Sequence, residues 1–188
     1  MEVARYLHDK DPELGLQTTN NGRTPLHTAA LHGHHEVVAF LISLPGIDVN
    51  KPDCCGITPL MDAASKGCVA IVDDLLSAGA DPALVDKLGK RAIHFAAMTG
   101  NAEALLVLAK ASSLTYDANP ASAPDVFEGF TPAHYAAREG HLSVIQALET
   151  LAADFSVKDT HGRTPSDVAE MRAFTDIVVY LASSNVQP

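Results

Sequence analysis

The phrase Gly-x-Thr-Pro-x-His returns along this 188-residue chain at a nearly fixed interval. It reads Gly22-Arg23-Thr24-Pro25-Leu26-His27, then Gly56-Ile57-Thr58-Pro59-Leu60-Met61 and Gly89-Lys90-Arg91-Ala92-Ile93-His94. Gly129-Phe130-Thr131-Pro132-Ala133-His134 and Gly162-Arg163-Thr164-Pro165-Ser166-Asp167 complete the series. The glycines step by 34, 33, 40 and 33 residues. Self-similarity at such a period points to a stack of like units, each burying its apolar face against its neighbours.

Each unit carries its own local instructions. The Gly permits a tight turn. Thr suits a helix N-cap and Pro the first helical position, where a missing N–H costs nothing. Paired alanines follow at Ala29-Ala30, Ala63-Ala64, Ala96-Ala97 and Ala136-Ala137, small enough for a short first helix to pack closely. A glycine ends that helix at Gly33, Gly67, Gly100 and Gly140. A second helix is read from apolar residues at helical spacing, such as Val37, Val38 and Leu41, or Val144, Ile145 and Leu148.

With this phrase at this period, the chain resembles the ankyrin repeat family over nearly its whole length. The resemblance implies an all-α solenoid of helix-turn-helix units with β-turn fingers. Full units are expected at residues 20–52, 53–85, 86–124, 125–158 and 159–188, the last a capping repeat. Residues 1–19 align with the following unit at a shift of 34, as a second helix without a first. That start is read as mid-repeat, from a longer array. The resemblance also implies that His27, His94 and His134 hydrogen-bond backbone between neighbouring turns. Asn50 resembles the hairpin asparagine that ankyrin proteins can have hydroxylated.

Departures from the pattern carry expectations of their own. Arg91-Ala92 replaces Thr-Pro and predicts a looser helix start. The long interval before Gly129 places a surplus of seven residues in an extended loop at 112–128, mobile at residues 119–124 and fixed at Phe127. The last unit has Ala173 in place of Gly, and Asp167 in place of His, as terminal units facing water often do.

Composition excludes several classes. There is no apolar run of about 18 residues and no basic-then-apolar leader. Cys54, Cys55 and Cys68 show no CxxC spacing and suggest a reducing compartment, so a cytoplasmic setting is expected, with the nucleus also open. A net charge of -10 argues against general affinity for nucleic acid or anionic lipid. No phosphate loop, nucleophile elbow or HExxH occurs. His27, His32, His34 and His35 lack familiar zinc spacing, and the adjacent Cys54 and Cys55 do not readily clip zinc alone. No enzyme, cofactor or metal is expected from these residues.

What remains is a surface. In the family, partners meet the turn tips and the exposed side of the first helix. Carried over by alignment, the central positions are Lys87, Leu88, Lys90, Phe95, Met98, Phe127, Phe130, Tyr135 and Arg138. Eight of the 13 Lys and Arg fall on the same set of turn and first-helix positions: Arg23, Lys66, Lys87, Lys90, Arg91, Arg138, Arg163 and Arg172. Aromatics and Arg are the usual anchors of interfaces. For Phe95 and Tyr135 the competing reading is packing against neighbouring first helices.

The expected function is non-catalytic binding, by a monomer, of a protein or peptide with apolar anchors and acidic residues. The alternative is a regulatory segment of a larger enzyme such as a ubiquitin ligase, kinase or acyltransferase. Nucleic-acid binding by the basic positions is a third and weaker reading. A narrower likeness within the family rests on Arg23-Thr24-Pro25-Leu26-His27-Thr28-Ala29-Ala30 and His134-Tyr135-Ala136-Ala137-Arg138-Glu139-Gly140-His141. It implies an aminoacyl-tRNA synthetase as partner.

Overall fold

A computed structural model describes Gly15 and residues 17–113 and 119–184. The expected partial unit at residues 1–19 lies largely outside the described residues. The described helices alternate between two rows. The inner row is α1 (Pro25–His32), α3 (Pro59–Lys66), α5 (Ala92–Met98), α7 (Pro132–Glu139) and α9 (Pro165–Met171). The outer row is α2 (His35–Ile42), α4 (Val69–Ser77), α6 (Ala102–Ser113), α8 (Leu142–Thr150) and α10 (Thr175–Ser184). The fold is the all-α solenoid expected, with no strand among the described residues. No described helix is long and apolar enough to cross a membrane.

The helix-start residues act as their chemistry dictates. The Thr24 side chain accepts from the His27 N–H, and Pro25 occupies the first turn. The alanine pairs are buried, so adjacent inner helices approach through methyl groups. Outer-row Ile71, Leu75, Leu105, Leu108, Ile145 and Leu148 fill the space behind them. Among the described residues the core is made of these unit-to-unit contacts.

Buried imidazoles join the units. The Thr24 N–H donates to His27 Nδ1 at 3.1 Å, which leaves Nε2 to carry the proton and donate to the Ile57 carbonyl at 3.0 Å. His134 repeats this with Thr131 N–H at 3.2 Å and the Arg163 carbonyl at 3.0 Å. Burial, the largest cause, lowers the pKa of both rings and keeps them neutral. At His94, fully buried, the pKa is lowered to about 4.

Substituted positions do part of the same work. Met61 brings its sulfur to 3.5 Å from the Thr58 N–H and has no proton to pass onward. Asp167 accepts from the Thr164 N–H at 2.7 Å and hydroxyl at 2.8 Å, but a carboxylate cannot donate to a further turn. That suits a terminal unit. Arg91 supplies no side-chain cap, yet its N–H still donates to His94 Nδ1 at 3.0 Å. The start of α5 is therefore held at one of its two usual points.

The inserted segment differs from expectation. Residues 119–124 are tied down: a short 3-10 turn, Pro120–Ser122, has Pro120 and Ala121 buried. Asn119 Nδ2 donates to the Leu151 and Ala152 carbonyls, each at 3.1 Å, and Ser122 Oγ accepts from the Asp154 N–H at 2.8 Å. His94 Nε2 donates to the Ala123 carbonyl at 2.9 Å. Small side chains bury little area here, but the polar ties hold the backbone. Phe127, expected to be fixed, adjoins Glu128 and Gly129, whose N–H groups Asp125 holds, and its side chain projects into solvent with 69% of its surface exposed.

Candidate functional site

The second to fifth fingers are each built on an aspartate with a buried side chain, and in the first Thr19 takes that place, its Oγ1 accepting from the Arg23 N–H at 3.2 Å. Asp53 Oδ1 accepts from the N–H groups of Cys55 at 2.8 Å and Ile57 at 3.0 Å. Asp86 does the same for Leu88 at 2.9 Å and Lys90 at 2.8 Å. Asp159 holds His161 at 2.8 Å and Arg163 at 2.9 Å. In these three fingers the Asp N–H also donates to the carbonyl four residues on. Successive tips are linked by rungs: Cys54 N–H to Asn21 O at 2.8 Å, Lys87 N–H to Cys55 O at 3.0 Å, and Val126 N–H to Leu88 O at 3.1 Å. The Thr160 N–H donates to Glu128 O at 3.0 Å.

The fourth finger is one residue longer. The Asp125 N–H closes on the Phe130 carbonyl five residues on, at 2.8 Å. Its Oδ1 takes the N–H groups of Glu128, Gly129 and Phe130 at 2.8, 2.9 and 3.3 Å. One of the surplus residues before Gly129 thus lies in the finger itself. The extra length leaves Val126 and Phe127 standing out from the tip, 83% and 69% exposed, beside Leu88 at 42%. Val126 folds across the third finger, where a Cβ on Gly89 would lie 2.4 Å from Val126 Cγ2. Only glycine fits there.

The second oxygen of each finger aspartate consumes a partner. Asp53 Oδ2 pairs with Arg23 at 3.1 Å, Asp86 with Lys90 at 3.5 Å, and Asp159 with Arg163 at 2.6 Å. Asp125 Oδ2 accepts from the Tyr135 hydroxyl. Arg23 also reaches Asp62 on α3, where burial pushes the carboxyl pKa up to about 6 against the opposing pull of the guanidinium. Arg138 pairs with Glu139 at 2.8 Å and Glu128 at 3.5 Å. Four of the eight basic positions gathered on this face, Arg23, Lys90, Arg138 and Arg163, are therefore paired within the chain, while Lys66, Arg91 and Arg172 make no ion pair among the described residues. Lys87 makes no ion pair among the described residues.

Two of the nine candidate residues are corrected by burial. Phe130 is 3% and Tyr135 4% exposed, so neither offers appreciable area to a partner. Phe130 stacks on the His134 ring at a centroid distance of 5.2 Å and meets Tyr135 edge-on at 5.2 Å. Arg138 lies over the Tyr135 ring at 4.9 Å, closing the cluster from the solvent side. The Tyr135 phenol is raised well above its ordinary pKa, by burial first and then by Asp125. Phe95 and Met98 are half-buried against the core, with Lys90 Nζ 5.1 Å from the Phe95 ring centroid. Lys87, Leu88 and Phe127 do face solvent. Val126 was missed by alignment to the other units. The signal was in the sequence: Asp125 to Gly129 spans four residues, where Asp53 to Gly56, Asp86 to Gly89 and Asp159 to Gly162 span three.

Elsewhere, among the described residues, no three His, Cys, Asp or Glu side chains converge as metal ligands. His35 is engaged by Asp74 at 2.9 Å. The geometry offers an exposed apolar ridge at the centre of a rigid finger row.

Comparison with known proteins agrees with this geometry. The profile described as Ankyrin repeats (3 copies) matches residues 1–86, 60–159 and 93–188. The chain is 34% identical over 178 residues to a probable E3 ubiquitin-protein ligase, XBOS32, of Oryza sativa subsp. japonica, covering 81% of this chain and 36% of that protein. It is 38% identical over 125 residues to human cyclin-dependent kinase 4 inhibitor B, covering 66% of this chain and 86% of the inhibitor. It is 40% identical over 94 residues to Neurogenic locus notch homolog protein 1 of Xenopus tropicalis, covering 50% of this chain and 4% of that protein. The chain spans little more than a third of the ligase's length, so the shared part is the repeat array. With stacked helix pairs, imidazole bridges and aspartate-anchored fingers all in place, the chain belongs to the ankyrin-repeat family.

Proposed function

We propose that this interaction module holds its protein partner along the finger row, with Leu88, Val126 and Phe127 as the apolar anchor. The observation that carries the reading is the one-residue extension of the fourth finger. It exposes Phe127 and Val126 on a backbone fixed by Asp125 and by the rung to Leu88. Exposed apolar groups on a rigid base lose little entropy on binding and mark interaction sites. The partner takes the form of a segment with an apolar side chain to set against the ridge. An acidic residue beside it would meet Lys87. Because Lys90 and Arg138 already have carboxylate partners, the demand for acidic character is smaller than sequence alone suggests.

The reading is non-catalytic. Cyclin-dependent kinase 4 inhibitor B, most of whose length this chain matches, is by name an inhibitor of a kinase, which makes a folded enzyme surface one eligible partner class. An aminoacyl-tRNA synthetase as partner gains no support from the relatives. A second reading keeps the same surface but places it in a larger enzyme. The ubiquitin ligases XBOS32 and XBAT33 favour it, since the matching repeats form about a third of each. The cytoplasm is the proposed compartment.

The test is quantitative capture of partners with the wild-type chain, with Leu88→Ala and Phe127→Ala, and with an outer-row control, Glu103→Ala. Each captured partner is then titrated against all four. The ridge variants should each weaken binding by about 2 kcal/mol, roughly 30-fold, with the control unchanged. Equal loss in the control would place the site elsewhere.

A further inference from the structure

Cys54 and Cys55 are consecutive at the tip of the second finger, both exposed, with their sulfurs 3.8 Å apart. The fold asks nothing of these side chains. The corresponding tip residues elsewhere are Lys87 and Leu88, or Thr160 and His161, and they too are exposed. Three of the four backbone polar groups of the pair, in contrast, are engaged. Cys54 N–H reaches Asn21 O, Cys55 O receives Lys87 N–H, and Cys55 N–H is held by Asp53 Oδ1.

We propose that Cys54 and Cys55 form a reversible modification site, closed to a vicinal disulfide by hydroperoxides. The thiolate sulfur of one residue attacks the O–O bond of hydrogen peroxide. It becomes a sulfenic acid, and the leaving hydroxide takes a proton to form water. The neighbouring sulfur then attacks the sulfenic sulfur. The S–S bond forms, the S–O bond breaks, and the oxygen leaves as a second water with the thiol proton. Two thiols are oxidised by two electrons, and one peroxide is reduced.

Geometry favours closure within the pair, then reopening. The sulfurs need only shorten their separation of 3.8 Å to about 2.05 Å. No other cysteine shares the tip, and Cys68 lies on the far side of α3, ahead of α4. Adjacent Cα atoms stand about 3.8 Å apart across a trans peptide, below the roughly 4.4 Å at which ordinary disulfides begin. The ring is therefore strained, and strained, exposed disulfides are the ones readily reduced. Before oxidation, the Cys54 thiol holds the Cys55 pKa above its usual value. Closure twists the Cys54–Cys55 peptide and loads the rungs to Asn21 and Lys87. The switch thus sits one rung from Leu88. The inference does not depend on the ridge being the partner site.

The experiment treats the reduced chain with hydrogen peroxide, alkylates the remaining thiols and reads intact and peptide masses. The expected product has lost two hydrogens, retains one alkylatable thiol at Cys68, runs as a monomer without reductant and regains three thiols with dithiothreitol. Cys54→Ser and Cys55→Ser, at exposed positions, should instead accumulate a sulfenic acid trapped by dimedone. Wild-type chain that proceeds to sulfinic acids, forms disulfide-linked dimers or pairs Cys68 with either residue would overturn the proposal.

Discussion

The second and fourth fingers share a scaffold and differ by one residue. In the second, Asp53 closes on Ile57 and the tip is absorbed into the row of rungs. In the fourth, Asp125 closes on Phe130, and Val126 and Phe127 protrude. The incoming imidazoles differ as well. His27 bonds the carbonyl that closes the second finger, Ile57 O, while His94 bonds Ala123 O in the inserted segment rather than Phe130 O. A regular unit therefore spends its residues on joining neighbours. The irregular one places the joining contact in the insert and releases apolar side chains to solvent. Around this finger the roles then divide: Phe130 and, on α7, Tyr135 build, while Val126 and Phe127 present.

The sharpest way to break that division is Phe130→Ala. A buried Phe lost from its stack with His134 and Tyr135 should cost about 3 to 5 kcal/mol, read from urea denaturation. A loss under about 1 kcal/mol would mean the cluster is surface.

Next comes His94→Ala, which strands the Arg91 N–H and the Ala123 carbonyl and should cost about 2 kcal/mol. The same ring sets a pH dependence. Its folded pKa, about 4, lies below the unfolded value of 6.5, so its contribution is full above about pH 6.5 and is lost as pH falls toward 4. His27 and His134 act in the same direction. Asp62 opposes them: its raised pKa makes its own contribution improve as pH falls through about 6. Melting temperatures from pH 7.5 to 4.5 should decline, and less steeply in His94→Ala.

Asn119→Ala tests whether the insert is held as described. Loss of its two carbonyl contacts should cost about 1 kcal/mol and speed amide exchange across residues 119–124. Exchange already fast in the wild type would restore the expectation of a mobile loop. The smallest effect is a gain. Ala173 stands at φ 61 where the earlier units have Gly, so Ala173→Gly should raise stability by roughly 0.5 kcal/mol, since relief of strain exceeds the added chain entropy.

The repeat, its helices and its imidazole bridges were legible because each rests on local chemistry that recurs: Thr-Pro at a helix start, Gly at its end, and one ring able to accept and donate. Phe130 and Tyr135 were misplaced because alignment to other units assigns direction by position. Burial there depends on a cluster made only in this unit, with Asp125 and Arg138 closing it. The basic positions read as free charge because the finger aspartates, spaced like ordinary turn residues, do not reveal that their second oxygen turns back on Arg23, Lys90 and Arg163. The anchored insert was hidden for a similar reason. Its ties come from Asn119, Ser122 and a backbone carbonyl, none of which has an apolar period.

The division of labour is tested most directly by removing Phe127 altogether, which gives the fourth finger the Asp-x-x-Gly spacing of the second. Urea denaturation and titration of a captured partner are run on the same preparation, with Phe130→Ala alongside. The deletion should leave stability within about 1 kcal/mol of wild type and weaken binding at least about 30-fold. Phe130→Ala should do the reverse wherever it remains folded. Unchanged partner affinity after the deletion, in a chain of normal stability, would contradict the assignment of the fourth fingertip as the anchor.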